Sequence, residues 1–196
     1  MMRRKYARDR KPKHYMSIFL VTVFLLLSIC NMDYAGLSSY SAEFTIMNAA
    51  VHKYCLQYSK EFKLKELSLD QIEDTVWATI RHESNFKHNS RSWEPKLNCY
   101  SYGLMCLVPS TARDMGWKGK YNTELYDIDT NLKYGVKYLC VKLRRYDQRI
   151  SMAVAAYNAG SVYMDENDEY VNKGYVAIVY FTYYQGLRQH RKAVKS

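Results

Sequence analysis

The stretch Ile80-Arg81-His82-Glu83-Ser84-Asn85-Phe86 carries the side chain in this sequence best suited to proton transfer, the carboxyl of Glu83. Glu83 falls where a helical pattern runs out, with Trp77, Ile80 and Phe86 close in sequence. Apolar surroundings desolvate a carboxylate and raise its pKa. A carboxylic acid still protonated near neutral pH can donate to a leaving oxygen, which is what glycosidic bond cleavage requires. Taken alone, such a glutamate reads as a solvated helix end. The elements that hold it must decide. His82 projects about 100° away from Glu83 around a helix and is expected at the surface.

Those elements read as helices. Residues 42–62 place Phe44, Met47, Val51, Cys55 and Tyr58 at three- and four-residue steps, one face of an amphipathic helix. Ser68-x-x-Gln71 is a capping-box start, and Ile72, Val76 and Ile80 give the buried face of the helix that ends at Glu83. Residues 87–101 lack a period and read as a loop or short irregular ribbon. Pro109 suits the first turn of a short helix that Gly116 can terminate in a left-handed conformation. Asp129 or Thr130 then caps a longer helix, with Leu132, Val136, Leu139, Cys140 and Leu143 on one face. Residues 151–159 are small and apolar, with Gly160 as their stop, and residues 170–187 form a last, strongly aromatic helical pattern.

The chain has 196 residues, enough for one domain with a proper core plus an appendage. Its apolar fraction of 48% argues against disorder. Its net charge of +10 raises the question of nucleic acid, but residues 1–14 alone carry seven cations against Asp9. The remainder is only mildly basic and has no basic stripe interleaved with aromatics, so nucleic acid is not an expected partner. The basic cluster abuts residues 15–32, an uncharged run about as long as the minimum for a membrane span. The most apolar part, 16–29, also fits the core of a signal peptide. Leu27-Ser28-Ile29-Cys30 resembles a lipobox, though Ile29 is bulky for one. An uncleaved anchor fits better than a cleaved signal, because small residues for cleavage (Ser39, Ser41) lie far from the run. Either way the basic flank stays inside, and the chain beyond Asp33 is expected outside the cytoplasm.

Export permits disulfides, and Cys55, Cys99, Cys106 and Cys140 all lie beyond the apolar run. Four cysteines allow three pairings. Cys99 and Cys106 are close enough in sequence to close a small loop. There is no Cys-x-x-Cys and no His pair at ligand spacing, so neither a metal nor a cofactor is expected.

Five blocks in order then resemble one family, the soluble-lytic-transglycosylase (SLT) family. Glu83-Ser84-Asn85-Phe86 resembles its "Glu-Ser-x-Phe" signature. Gly103-Leu104-Met105-Cys106 with Pro109-Ser110-Thr111-Ala112 is similar to its "Gly-Leu-Met-Gln … Pro-x-Thr-Ala" block. Asn131-Leu132, Gly135 and Tyr138-Leu139 follow its "Asn-Ile-x-x-Gly-x-x-Tyr-Leu" helix. Ala156-Tyr157-Asn158-Ala159-Gly160 matches "Ala-Tyr-Asn-Ala-Gly", and Tyr175-Val176 resembles its late "Tyr-Val" element.

The resemblance implies a mainly α, lysozyme-like domain preceded by one N-terminal transmembrane or signal segment. Its boundaries are a basic tail over 1–14, the apolar segment over 15–32, a linker over 33–41, the domain over 42–187 and a basic tail over 188–196. It implies cleavage of the MurNAc–GlcNAc β-1,4 bond of peptidoglycan glycan strands, with Glu83 as general acid and then base, leaving 1,6-anhydro ends. By the same resemblance Ser84 fixes the helix end, Met105 lines a sugar subsite, and Tyr157 and Asn158 contact the saccharide. Tyr175 brings its hydroxyl close to Glu83. Cys106 stands where the family usually has Gln, which removes one amide contact to sugar and leaves Cys106 available as half of a Cys99–Cys106 bridge. Small forms of this family serve secretion, conjugation or phage machinery. Two rival readings keep the fold: a hydrolytic muramidase using Glu94 as a second carboxylate, and a non-catalytic peptidoglycan-binding assembly component.

Overall fold

A computed structural model describes residues 34–195, with side chains from 42 to 190. The expected basic tail (1–14) and apolar segment (15–32) lie outside the described residues. The chain divides into two compact units, residues 1–43 and 44–196. The first helix begins in the smaller unit, and Glu83 with every residue that surrounds it belongs to the larger. Among the described residues no helix is long and apolar enough to cross a membrane.

Helices dominate, as expected. In chain order they are α1 (Tyr34–Glu61), α2 (Leu69–Glu83), α3 (Pro109–Asp114), α4 (Ile128–Arg145), α5 (Ile150–Ala159) and α6 (Lys173–Val176). A π-helical segment (Ala177–Tyr184) then leads into α7 (Gln185–Lys195). A 3-10 turn at Asn122–Tyr126 precedes α4. Strands β1 (Arg91–Glu94) and β2 (Cys99–Tyr102) pair antiparallel with Trp93 opposite Tyr100 and Glu94 opposite Cys99. The ribbon expected over 87–101 is therefore a regular hairpin.

α2 forms for the reasons its sequence announced. Ser68 accepts from the Gln71 backbone N–H, and the Gln71 side chain accepts in return from the Ser68 N–H. Ile72, Val76 and Ile80 are fully buried. Each such aliphatic side chain contributes roughly 1.5–3 kcal/mol on leaving water. In the same core lies the apolar face of α4, whose Leu132, Val136, Leu139, Cys140 and Leu143 are likewise fully buried.

Several boundaries differ from expectation. The cap of α4 is Asp127, whose Oδ1 accepts from the Thr130 N–H at 2.8 Å. Asp129 is instead taken by α1, accepting from the Tyr54 hydroxyl at 2.7 Å and from Lys53 at 3.1 Å. The linker expected over 33–41 is helical from Tyr34, because it holds no proline and Gly36 alone costs a helix only about 1 kcal/mol. The basic tail expected over 188–196 continues as helix to Lys195, since Gln, Arg, Lys and Ala are good helix formers. Phe44 is half exposed rather than on the core stripe, and stacks on Trp77.

Candidate active site

α2 delivers Glu83 at its last turn and then stops sharply. Ser84 closes the helix, its N–H and Oγ both donating to the Ile80 carbonyl, and Asn85 and Phe86 turn into left-handed backbone. The carboxyl of Glu83 meets groups from distant parts of the chain. The Tyr175 hydroxyl of α6 donates to Oε1 at 2.6 Å. The Cys106 thiol donates to the Glu83 backbone carbonyl at 3.2 Å. Burial pushes the Glu83 carboxyl up to about 7. The hydrogen bond from Tyr175 pulls against that rise, the nearby charge of Glu94 adds to it, and the Cys106 thiol opposes it. An acid so placed is close to half ionised at neutral pH, matched to giving a proton and taking one back.

Groups distant in sequence join those of its sequence neighbourhood around Glu83. Trp77 and Phe86 pack on each other, ring centroids 6.3 Å apart, and line a groove of about 710 Å³ with Phe44, Arg81 and Tyr183. Tyr175, Tyr157 and Cys106 lie near enough to feel Glu83, their own acid groups each pushed up by burial and then by the Glu83 charge.

Three residues expected at the sugar or the helix end serve as supports. Met105 is fully buried, with its thioether lying over Gly135, where any Cβ would meet Sδ at 2.5 Å. Tyr157 is 8% exposed, and its hydroxyl donates to the Met105 carbonyl at 2.6 Å. Ser84 is 6% exposed and bonds back to its own helix. Asn158, by contrast, is exposed, with its Oδ1 accepting from Asn172 at 2.9 Å. The Cys99–Cys106 bridge is not formed. Both are free thiols, and Cys106, at a left-handed φ of 42°, directs its sulfur to Glu83.

Glu94 and His82 acquire contacts. Glu94 Oε1 accepts from the buried Ser101 hydroxyl at 2.8 Å, across the hairpin. His82 is half-buried rather than at the surface, edge-on to the Tyr175 ring at 4.8 Å and 88°. Its burial lowers its pKa.

Asn131 has a structural role that its place in the sequence does not announce. It is fully buried in the first turn of α4, accepting from the Met105 N–H and donating to the carbonyls of Tyr102 and Leu125, all at 2.8–2.9 Å. The hairpin, the Gly103–Met105 loop and the 3-10 turn thus share one amide. Gly103 is left-handed, and a Cβ there would stand 2.2 Å from that amide nitrogen. The signal available was an asparagine inside a helix start, a position where an amide serves backbone groups.

A carboxyl with a raised pKa and a phenol donor are thus brought together on a helical scaffold. Residues 65–178 match the family model described as "Transglycosylase SLT domain", more than half of the chain, and the chain belongs to that family. The fold is similar to that of an inactive mutant of the lytic transglycosylase Slt from Pseudomonas aeruginosa. The TM-score is 0.50 at 22% identity, covering 72% of this chain. The chain spans only 24% of that protein's length.

Proposed function

We propose that this protein is a peptidoglycan lytic transglycosylase acting on the MurNAc–GlcNAc β-1,4 bond, with Glu83 as its sole proton-transfer group. The observation that carries the reading is the Glu83 carboxyl, drawn out of water, held by Tyr175 and raised to about 7. Protonated Glu83 gives its proton to the glycosidic oxygen as the C1–O bond breaks, releasing the GlcNAc hydroxyl. The substrate's N-acetyl oxygen shields the cationic C1. Glu83, now a carboxylate, takes the proton of the C6 hydroxyl as O6 closes on C1. The acid is regenerated and no water is consumed. Membership of the transglycosylase family supports the reading.

The test is mass spectrometry of digested sacculi. Anhydro-muramyl ends are expected from the wild type and none from Glu83→Gln, a loss of at least about 100-fold for an essential acid. Reducing ends, or retained activity in the variant, overturn the reading. A hydrolytic muramidase is the second reading. It is favoured by one observation, the Glu94 carboxylate steadied by Ser101 and close enough for its charge to act on Glu83. Our proposal also places the domain outside the cytoplasm, tethered through residues 15–32, because its substrate lies there. A role in opening the wall for secretion, conjugation or phage machinery fits a domain of this size.

A further inference from the structure

We infer that His82 is a positioning residue for the acid: its imidazole, edge-on to Tyr175, holds the phenol where the hydroxyl reaches Glu83. The inference rests on the assignment of Glu83 as the acid. Tyr175 reaches the site from α6, the first turn of a helical run that continues through the π-helical segment into α7 and is entered from the irregular stretch 160–172. In a first turn the Tyr175 side chain has no earlier turn of its own helix to lie on.

The steadying comes from the end of α2, where two consecutive residues grip the same ring. Glu83 accepts the hydroxyl at 2.6 Å, and His82 meets the ring perpendicular at 4.8 Å between centroids. Neighbouring helical positions diverge by about 100°, and the Tyr175 ring bridges the two side chains in the last turn of α2. Edge-to-face is also a favourable arrangement for two neutral rings, and burial favours the neutral imidazole. The titratable groups that act on the Tyr175 hydroxyl are Glu83, Tyr157 and Cys106, whereas His82 engages the ring itself.

The consequence for the acid follows from the direction of the Tyr175 hydrogen bond, which favours the carboxylate and opposes the rise due to burial. A ring free to swing takes that donor away. Glu83 then holds its proton to higher pH, and the carboxyl loses its orientation.

The experiment compares His82→Ala, His82→Leu and His82→Phe. In the alanine and leucine variants kcat is expected to fall about 3- to 10-fold with KM little changed, the size of one aromatic contact. The alkaline limb of the pH profile should move upward. The phenylalanine variant, which keeps an aromatic edge, should restore both. His82→Ala combined with Tyr175→Phe should be no worse than Tyr175→Phe alone. Carbon-13 titration of the Glu83 carboxyl in glutamate-labelled protein, assigned by Glu83→Gln, reads the same shift without turnover. An unmoved Glu83 titration in the alanine or leucine variant, or additive losses in the double variant, overturns the inference. Where alanine fails to fold, leucine decides. A wild type that cleaves no peptidoglycan would sink the proposed activity, while the carboxyl titration would still judge His82.

Discussion

The Tyr157 hydroxyl donates to the Met105 carbonyl at 2.6 Å, joining α5 to the loop before α3. These are the two residues expected at the sugar and the saccharide, and here they meet each other. Each of the two is buried. Removing the donor leaves a buried carbonyl short of a partner. Tyr157→Phe is therefore expected to destabilise the domain by about 1–3 kcal/mol. Denaturant melts should show it, and an unchanged midpoint would mean that water takes over the bond.

The Glu83 carboxyl links activity to stability. Its folded pKa, about 7, lies above the ordinary value of 4.5. Between those values the folded state binds more protons than the unfolded chain, so stability falls as pH rises. The favourable contribution is complete below about pH 4.5 and is gone above about pH 7. The difference corresponds to about 3 kcal/mol. Glu83→Gln, which has no charge to bury, should melt higher than wild type at pH 8 and gain progressively less as pH falls to about 4.5. A constant difference across that range would refute the burial of this charge.

Asn131 holds three backbone groups from three segments. Asn131→Leu fills the same space but strands the Met105 N–H and the Leu125 carbonyl, while the Tyr102 carbonyl keeps only the Leu107 N–H. About 3–5 kcal/mol of destabilisation is expected, more than for an aliphatic neighbour shortened by one methylene. Thermal melts measure it. Because Met105 and the hairpin share this amide, surviving folded protein should also lose activity.

Periodicity made α2 and α4 legible, since each has a continuous apolar face that only burial explains. The capping box at Ser68 and Gln71 was equally direct, because its partners are three residues apart. Side-chain direction across distance was not legible. Met105 turns inward because Gly135, on another helix, leaves it room. Asp129 leaves the cap to Asp127 because Tyr54 and Lys53 of α1 claim it. Glu83 itself was legible as an acid, but the source of its dry surroundings was not. Trp77 and Phe86 are near in sequence, whereas Tyr175, which donates to the carboxyl, is 92 positions away.

Glu94 separates the two chemical readings. Its charge raises the Glu83 pKa, and its own oxygen is held by Ser101 rather than by Glu83. If Glu83 works alone, Glu94→Gln removes a repulsion and nothing more. The alkaline limb should then move to lower pH, anhydro ends should persist, and turnover at acidic pH should stay within about threefold of wild type. If Glu94 activates a water instead, the same change removes a general base, and a loss of about 100-fold or more with reducing-end products is expected. Glutamine keeps the size of the side chain and can still accept from Ser101, so the hairpin should stand in either case. The two outcomes differ in product as well as in rate, which lets end-group analysis decide even if the rates fall between them.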